Sequence, residues 1–265
     1  MNAPGQDQDP WLAGLRQRAD SPPLVPRTAL TIGDPPARIG SVEPSLAQCM
    51  QDAGLPLRRS GPGWHILTPP DTSMMAIAQW LNARGIGGRW RAEMLAVIDE
   101  QGRAVGAIER AAVRPLGLTT FAVHLVAARA DAKVWVQQRA ANKATDPGQW
   151  DTTMGGQVGA GESAADALTR ETWEEAGLHL AQMQGLREAG RITFRRPVTE
   201  GFLVEHIDVF DATLADAVVP ANQDGEVQRF DCLAPGELLA WLREDRFTLE
   251  AATILVAWLQ RRGFL

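Results

Sequence analysis

The stretch GGQVGAGESAADALTRETWEEAGL, residues 155–178, places Glu162, Arg170, Glu171, Glu174 and Glu175 close together along the chain. On one helix, Glu171, Glu174 and Glu175 fall within about a turn of each other. Like charges three and four residues apart destabilise a helix by a few tenths of a kcal/mol per pair, yet Glu171 is followed at i+4 by Glu175 and not by Lys or Arg. Most charge clusters are solvated faces. Three convergent carboxylates instead suit a hard divalent cation, which takes oxygen ligands and fills its remaining positions with water and substrate phosphates. The preceding GGQVGAG supplies backbone freedom and carbonyl oxygens beside such a cation.

The helix that carries them is predicted to begin near Glu162 and to stop before Gly177. Ala165, Leu168, Thr172 and Ala176 form the stripe expected to face a sheet, with the glutamates at its edge.

The spacing Gly156, Glu162, Arg170-Glu171, Glu174-Glu175, Gly177-Leu178 resembles the signature of the Nudix hydrolases. Thr172 departs from it, standing where that family prefers an aliphatic residue. The resemblance implies an αβα sandwich with a mixed sheet over residues 118–265, and hydrolysis of a diphosphate linked to another group. Glu174 and Glu175 would then bind Mg²⁺ or Mn²⁺, with Glu171 as ligand or general base and the carbonyl at Gly155–Gly156 completing the set. Arg170 would orient the glutamates and pair with Glu162, and Gly177 would close the helix. More narrowly, RAANKATDPGQWDTTMGGQVGAGES, PANQDGEVQRFDCL and TILVAWLQRRGFL resemble thiamin pyrophosphokinase-related Nudix proteins, which carry an extra N-terminal domain. That likeness implies a thiamin-diphosphate-like substrate, with nucleoside-diphosphate-X compounds as the broader class.

Upstream, Arg139 and Lys143 precede a Pro147-Gly148 turn and Trp150. They are either solvated bases or a clamp for the diphosphate oxygens, which favour placed cations. Asp224 or Glu226 would add a late carboxylate, although Asp-Gly is also an ordinary turn signal. Among nine tryptophans in a chain without tyrosine, Trp64, Trp80, Trp90 and Trp150 are available to stack on a ring, with core packing the favoured account. His65, His124, His179 and His206 show no ligand spacing and receive no role.

The elements around this site read as two regions. Residues 1–117 mix short helices and strands into a small α+β domain, expected to cap the substrate or to serve a homodimer. In it, Ser41 and Asp71 are candidate helix N-caps, and AEMLAVIDEQGRAVGAIER reads as a hairpin. From Leu118 the chain turns β-rich, with amphipathic helices at APGELLAWLRED and TLEAATILVAWLQRRG. The whole is an α/β (α+β) protein.

A formal net charge of −6 argues against a nucleic-acid partner. Two widely separated cysteines, Cys49 and Cys232, give neither a disulfide framework nor a zinc site and suit a cytoplasmic protein. MNAPGQDQDP has no leader pattern, and no apolar run is long enough to span a membrane. Isopentenyl diphosphate isomerase shares the Arg…Lys…Pro-Gly-x-Trp lead-in, but needs a cysteine soon after the Trp, where this chain has DTTMGGQ. A non-catalytic Nudix sensor is the other rival, and such proteins commonly lose carboxylates that are all present here.

Overall fold

A computed structural model describes residues 9–265. The opening MNAPGQDQ, read above for a leader, lies outside the described residues. Helix α1 (Pro10–Ala19) is capped by Asp9, whose carboxylate accepts the Trp11 N–H at 2.9 Å. It is followed by β1 (Thr28–Ile32), β2 (Ala37–Val42), α2 (Pro44–Asp52), β3 (Leu57–Ser60), β4 (Gly63–Ile66) and α3 (Pro70–Ala83). The four strands form one sheet in the order β2-β1-β4-β3, with β1 parallel to β4. The predicted hairpin is β5 (Met94–Ile98) and β6 (Ala104–Glu109).

Two expected caps are corrected. Ser41 lies inside β2, where its hydroxyl accepts from Arg27 Nε at 3.1 Å, and Glu43 precedes α2 instead. Asp71 lies inside the first turn of α3, whose cap position is Pro69. In both cases a proline at the first helical position sets the start, because its fixed φ suits N1 and its missing N–H is not needed there.

The second half contains β7 (Thr119–Ala128), β8 (Val134–Arg139), β9 (Trp150–Asp151), β10 (Met154–Gln157), α4 (Ala164–Ala176), β11 (Met183–Val198), β12 (Gly201–Leu214), β13 (Val227–Leu233), α5 (Pro235–Arg243) and α6 (Leu249–Arg261). Its mixed sheet runs β11-β12-β7-β8-β13, with β10 added on β7 and β9 on β8. The β7–β12 pair is parallel and the others antiparallel. Strand β7 explains the sandwich, because successive side chains point to opposite faces. Val123, Leu125 and Ala127 pack with Ala167, Leu168 and Ala176 of α4. Ala122, Val126 and Ala128 pack with Leu238 of α5 and Leu255, Trp258 and Leu259 of α6. Leu12 and Leu15 of α1 join this second core, so the first helix of the chain packs on the β-rich half. No helix among the described residues is long and apolar enough to cross a membrane.

Candidate active site

Helix α4 starts at a capping box, in which the Ser163 hydroxyl accepts the Asp166 N–H and the Asp166 carboxylate accepts the Ser163 N–H. It ends at Gly177 in the left-handed conformation (φ 61°), its N–H bonding the Trp173 carbonyl. The predicted boundaries are thus met by local chemistry. The buried stripe differs at one place: Ala165 is exposed and Ala167 is buried. Thr172 is fully buried, and its hydroxyl has no hydrogen-bond partner among the described residues.

Arg170 organises the acidic cluster. Its guanidinium binds Glu162 through two bonds of 2.8 Å, Glu171 at 2.7 Å and Glu174 at 3.1 Å, and donates to the Gln157 carbonyl at 3.1 Å. The two-pronged contact holds the Glu162 carboxyl below its ordinary pKa, and the Glu162 partnership raises that of Arg170. Gly156 of β10 lies beneath the cluster, where a Cβ would overlap the Glu171 side chain. Glycine is needed there so that Glu171 can lie against the strand.

Glu175 is the most enclosed of the set, 2% exposed. One of its oxygens accepts the Gly155 N–H at 3.0 Å and Gln137 Nε2 at 2.8 Å; the other faces Lys143 Nζ at 3.8 Å. Burial pushes its pKa up to about 7 against the pull of Lys143, and burial also raises that of Glu171. Glu171 Oε2 and Glu174 Oε1 accept no hydrogen bond among the described residues. No group of three or more acidic, histidine or cysteine side chains among the described residues is arranged to hold a metal ion as it stands, but the free oxygens of Glu171 and Glu174 are donors of the kind a hard divalent cation takes.

Arg139 and Lys143 both line the cavity above the cluster, about 300 Å³ in volume. Each is already committed within the protein. Arg139 bonds Asp151 at 3.1 Å and the Thr145 carbonyl at 3.0 Å, while Lys143 is paired with Glu226 and faces Glu175. Lys143 therefore bridges two carboxylates of the acidic site. The alternative at the late loop resolves by role: the Asp224 carboxylate accepts the Glu226 N–H and makes the turn, and Glu226 reaches the cluster through Lys143. With burial working the other way, the Lys143 bond keeps the Glu226 carboxyl below its usual pKa.

Trp150 is buried against Trp241 at 5.0 Å, Trp64 is buried, and Trp80 and Trp90 pack on the core of the N-terminal sheet. None of the four lines this cavity, in keeping with the packing account.

Sequence reasoning passed over several cavity residues. His124 of β7 sits under Gly155 and meets Thr152 Oγ1 at 2.8 Å through Nδ1. Glu205 of β12 and the arginines Arg91, Arg110 and Arg114 also line the cavity. Arg110 pairs with Glu93 at 2.9 Å and Arg114 with Glu200 at 3.3 Å. No local pattern marks them, because they come from strands and turns distant in sequence.

The sequence model of the NUDIX domain matches residues 118–254, about half of the chain. An uncharacterised Nudix hydrolase of Pseudomonas aeruginosa, PA4841, is 38% identical over 123 residues, covering 46% of this chain and 71% of that protein. An isopentenyl-diphosphate Delta-isomerase of Streptomyces coelicolor is 30% identical over 175 residues, 64% of this chain and 85% of the other. Against three further curated relatives the chain spans only 43% to 57% of their length. Among solved structures, DR0079 of Deinococcus radiodurans superposes with a TM-score of 0.50 at 22% identity, covering 65% of this chain and all of that one, a likeness of fold.

Proposed function

The chain belongs to the Nudix hydrolase family, and on that footing we propose that it hydrolyses the diphosphate linkage of a small thiamin-diphosphate-like or nucleoside-diphosphate-X molecule, releasing a monophosphate. One observation carries the reading: Arg170 grips Glu162, Glu171 and Glu174 beside Gly156, and Glu171, Glu174 and Glu175 line one cavity, the first two with a free oxygen each. The same residues would hold Mg²⁺ or Mn²⁺. When bound, such a cation neutralises the diphosphate and acidifies water.

The chain's own residues divide the remaining work. Arg170 fixes the carboxylates in place, which keeps their mutual repulsion from splaying them. Glu171, enclosed and with one oxygen free, would serve either as a cation ligand or as the base that accepts the proton of an attacking water. Lys143 holds Glu226 and Glu175 on a common side of the cavity. Arg91, Arg110 and Arg114 lie before residue 118, so the N-terminal region supplies a basic wall facing the acidic cluster, which supports its role as a substrate cap.

The isomerase reading is disfavoured by the cysteines. Cys49 is exposed on α2 and Cys232 lies on β13, and neither lines the cavity.

The test is a metal-dependent screen of thiamin diphosphate, its oxo analogue, nucleotide sugars, ADP-ribose and dinucleoside polyphosphates. Release of a monophosphate that requires Mg²⁺ or Mn²⁺, and falls by orders of magnitude in Glu174→Gln, is expected. Tight binding with no phosphate release would instead establish a sensor.

A further inference from the structure

A second hollow, of about 670 Å³, shares no lining residue with the cavity above the glutamates. Successive side chains of a strand point to opposite faces. Arg196 and Leu203 line the catalytic cavity, whereas their chain neighbours Arg195 and Phe202 line the hollow, so the two open on opposite faces of the β11–β12 pair. Ile39 is buried in the hollow's wall, and Ile98, Phe202 and Val204 are half-buried there. Its one buried charge, Asp99, is neutralised by Arg103 at 2.8 Å. Arg38 and Glu100 are exposed and stand at the mouth.

Beside the hollow, Pro22-Pro23-Leu24-Val25-Pro26 is exposed along its whole length, and its first two prolines belong to the wall. Leu24 is 86% exposed, the most of any large apolar side chain among the described residues, and Val25 is 45% exposed. A single exposed leucine is ordinary, but an unbroken apolar run on a surface marks a contact. This run is also held stiffly. Before it, the Ser21 N–H binds the Arg195 carbonyl at 2.7 Å and the Arg195 guanidinium binds Asp20 at 2.9 Å. After it, Arg27 donates to the carbonyls of Ser41 and Pro115 at 2.6 Å each. Within it, each proline fixes its own φ, so little entropy remains to be lost on docking. At the mouth, the Glu100 N–H donates to the Arg38 carbonyl at 3.0 Å, yet neither side chain has an ion-pair partner among the described residues.

We propose that this face joins two copies of the chain about a twofold axis, with Leu24 and Val25 of each copy entering the hollow of the other and Arg38 of each meeting Glu100 of the other. A knob and a hollow side by side on one face are what an isologous contact requires, because the twofold rotation sets each against its counterpart. The unpaired opposite charges at the mouth obey the same symmetry and supply two reciprocal ion pairs. A different protein that gripped the proline-rich run would cover the knob and leave the hollow beside it unfilled. The catalytic cavities open on the other face of the strands and stay accessible in such a dimer.

Analytical ultracentrifugation of the full chain tests it, and a species of twice the chain's mass is expected. Leu24→Glu sets a charge against apolar walls at two symmetric places, so the dimer should weaken at least about 100-fold. Because Leu24 is exposed within one copy, circular dichroism should show the variant folded. Arg38→Glu alone should weaken the dimer about 10-fold, and Arg38→Glu combined with Glu100→Arg should return Kd to within about threefold of wild type. A merely structural effect of either substitution would not be rescued by the other. A wild-type chain that sediments as a monomer at about 100 µM overturns the proposal and leaves the proline-rich run to a different partner. A dimer indifferent to Leu24→Glu overturns it as well, as does a charge exchange that deepens the loss. The readout is mass and not turnover, so the outcome is separate from that of the diphosphate reading.

Discussion

Replacing Glu175 with Gln should remove activity and yet make the metal-free protein more stable at alkaline pH. The side chain is 2% exposed, and burial lifts its pKa from 4.5 to about 7. A carboxyl whose folded pKa is raised contributes stability that is fully present below its unfolded value of 4.5. That contribution is lost as pH rises to about 7 and does not return above it. From 4.5 to about 7, at about 1.36 kcal/mol per pKa unit, the loss is about 3 kcal/mol at pH 8. Gln carries no charge at any pH, and its carbonyl can still accept the Gly155 N–H. Lys143 loses one partner but keeps Glu226, so the net gain should be about 1–3 kcal/mol, a rise in Tm of several degrees for a chain of this size. Thermal unfolding in chelator at pH 8 and at pH 4.5 measures it. The gain should be present at the first and absent at the second, and saturating Mg²⁺ should stabilise the wild-type protein more than the variant. A variant less stable than wild type at pH 8 in chelator would refute the claim that burial of this charge opposes folding.

Gly156→Ala drives a Cβ into the Glu171 side chain; about 1–3 kcal/mol of stability should be lost, together with most Mg²⁺ affinity, read by thermal unfolding with and without metal. Arg170→Lys keeps the charge but not the fork that grips Glu162 and reaches Glu171, Glu174 and Gln157. Mg²⁺ affinity should fall about 10- to 100-fold, and an unchanged calorimetric isotherm would contradict the positioning role. Thr172→Val removes a buried hydroxyl without a partner and should raise stability by about 1 kcal/mol in urea unfolding, with turnover unaltered. Cys49→Ser with Cys232→Ser should retain full phosphate release, whereas loss of turnover in the soluble, folded double variant would revive cysteine-dependent chemistry.

Helix α4 was legible because its signals are local. Ser163, Asp166 and Gly177 act within a turn of themselves, and Arg170 meets Glu171 and Glu174 through spacing alone. The same locality misplaced the caps at Ser41 and Asp71, where prolines at the first helical position decided the start. It also put Ala165 in the buried stripe; the residue shares that face but sits in the first turn of α4, where it is exposed, and Ala167 is covered instead. Arg139 and Lys143, read as solvated bases or a diphosphate clamp, line the cavity, but their partners were beyond reach of a sequence reading. Pairing of β8 with β13 places the loop carrying Lys143 beside Glu226, 83 residues on.

By itself, the sequence determined the acidic helix and its ends, because each depends on residues a few positions apart. Only the tertiary structure decided which carboxylate became buried, which base was spent on another side chain, and which distant residues closed the cavity. Glu205 shows why: Thr120 lies 85 residues before it, yet the parallel register of β12 on β7 sets the two side by side. Burial and partnership at such a position are properties of the packed sheet, and no spacing along the chain encodes them.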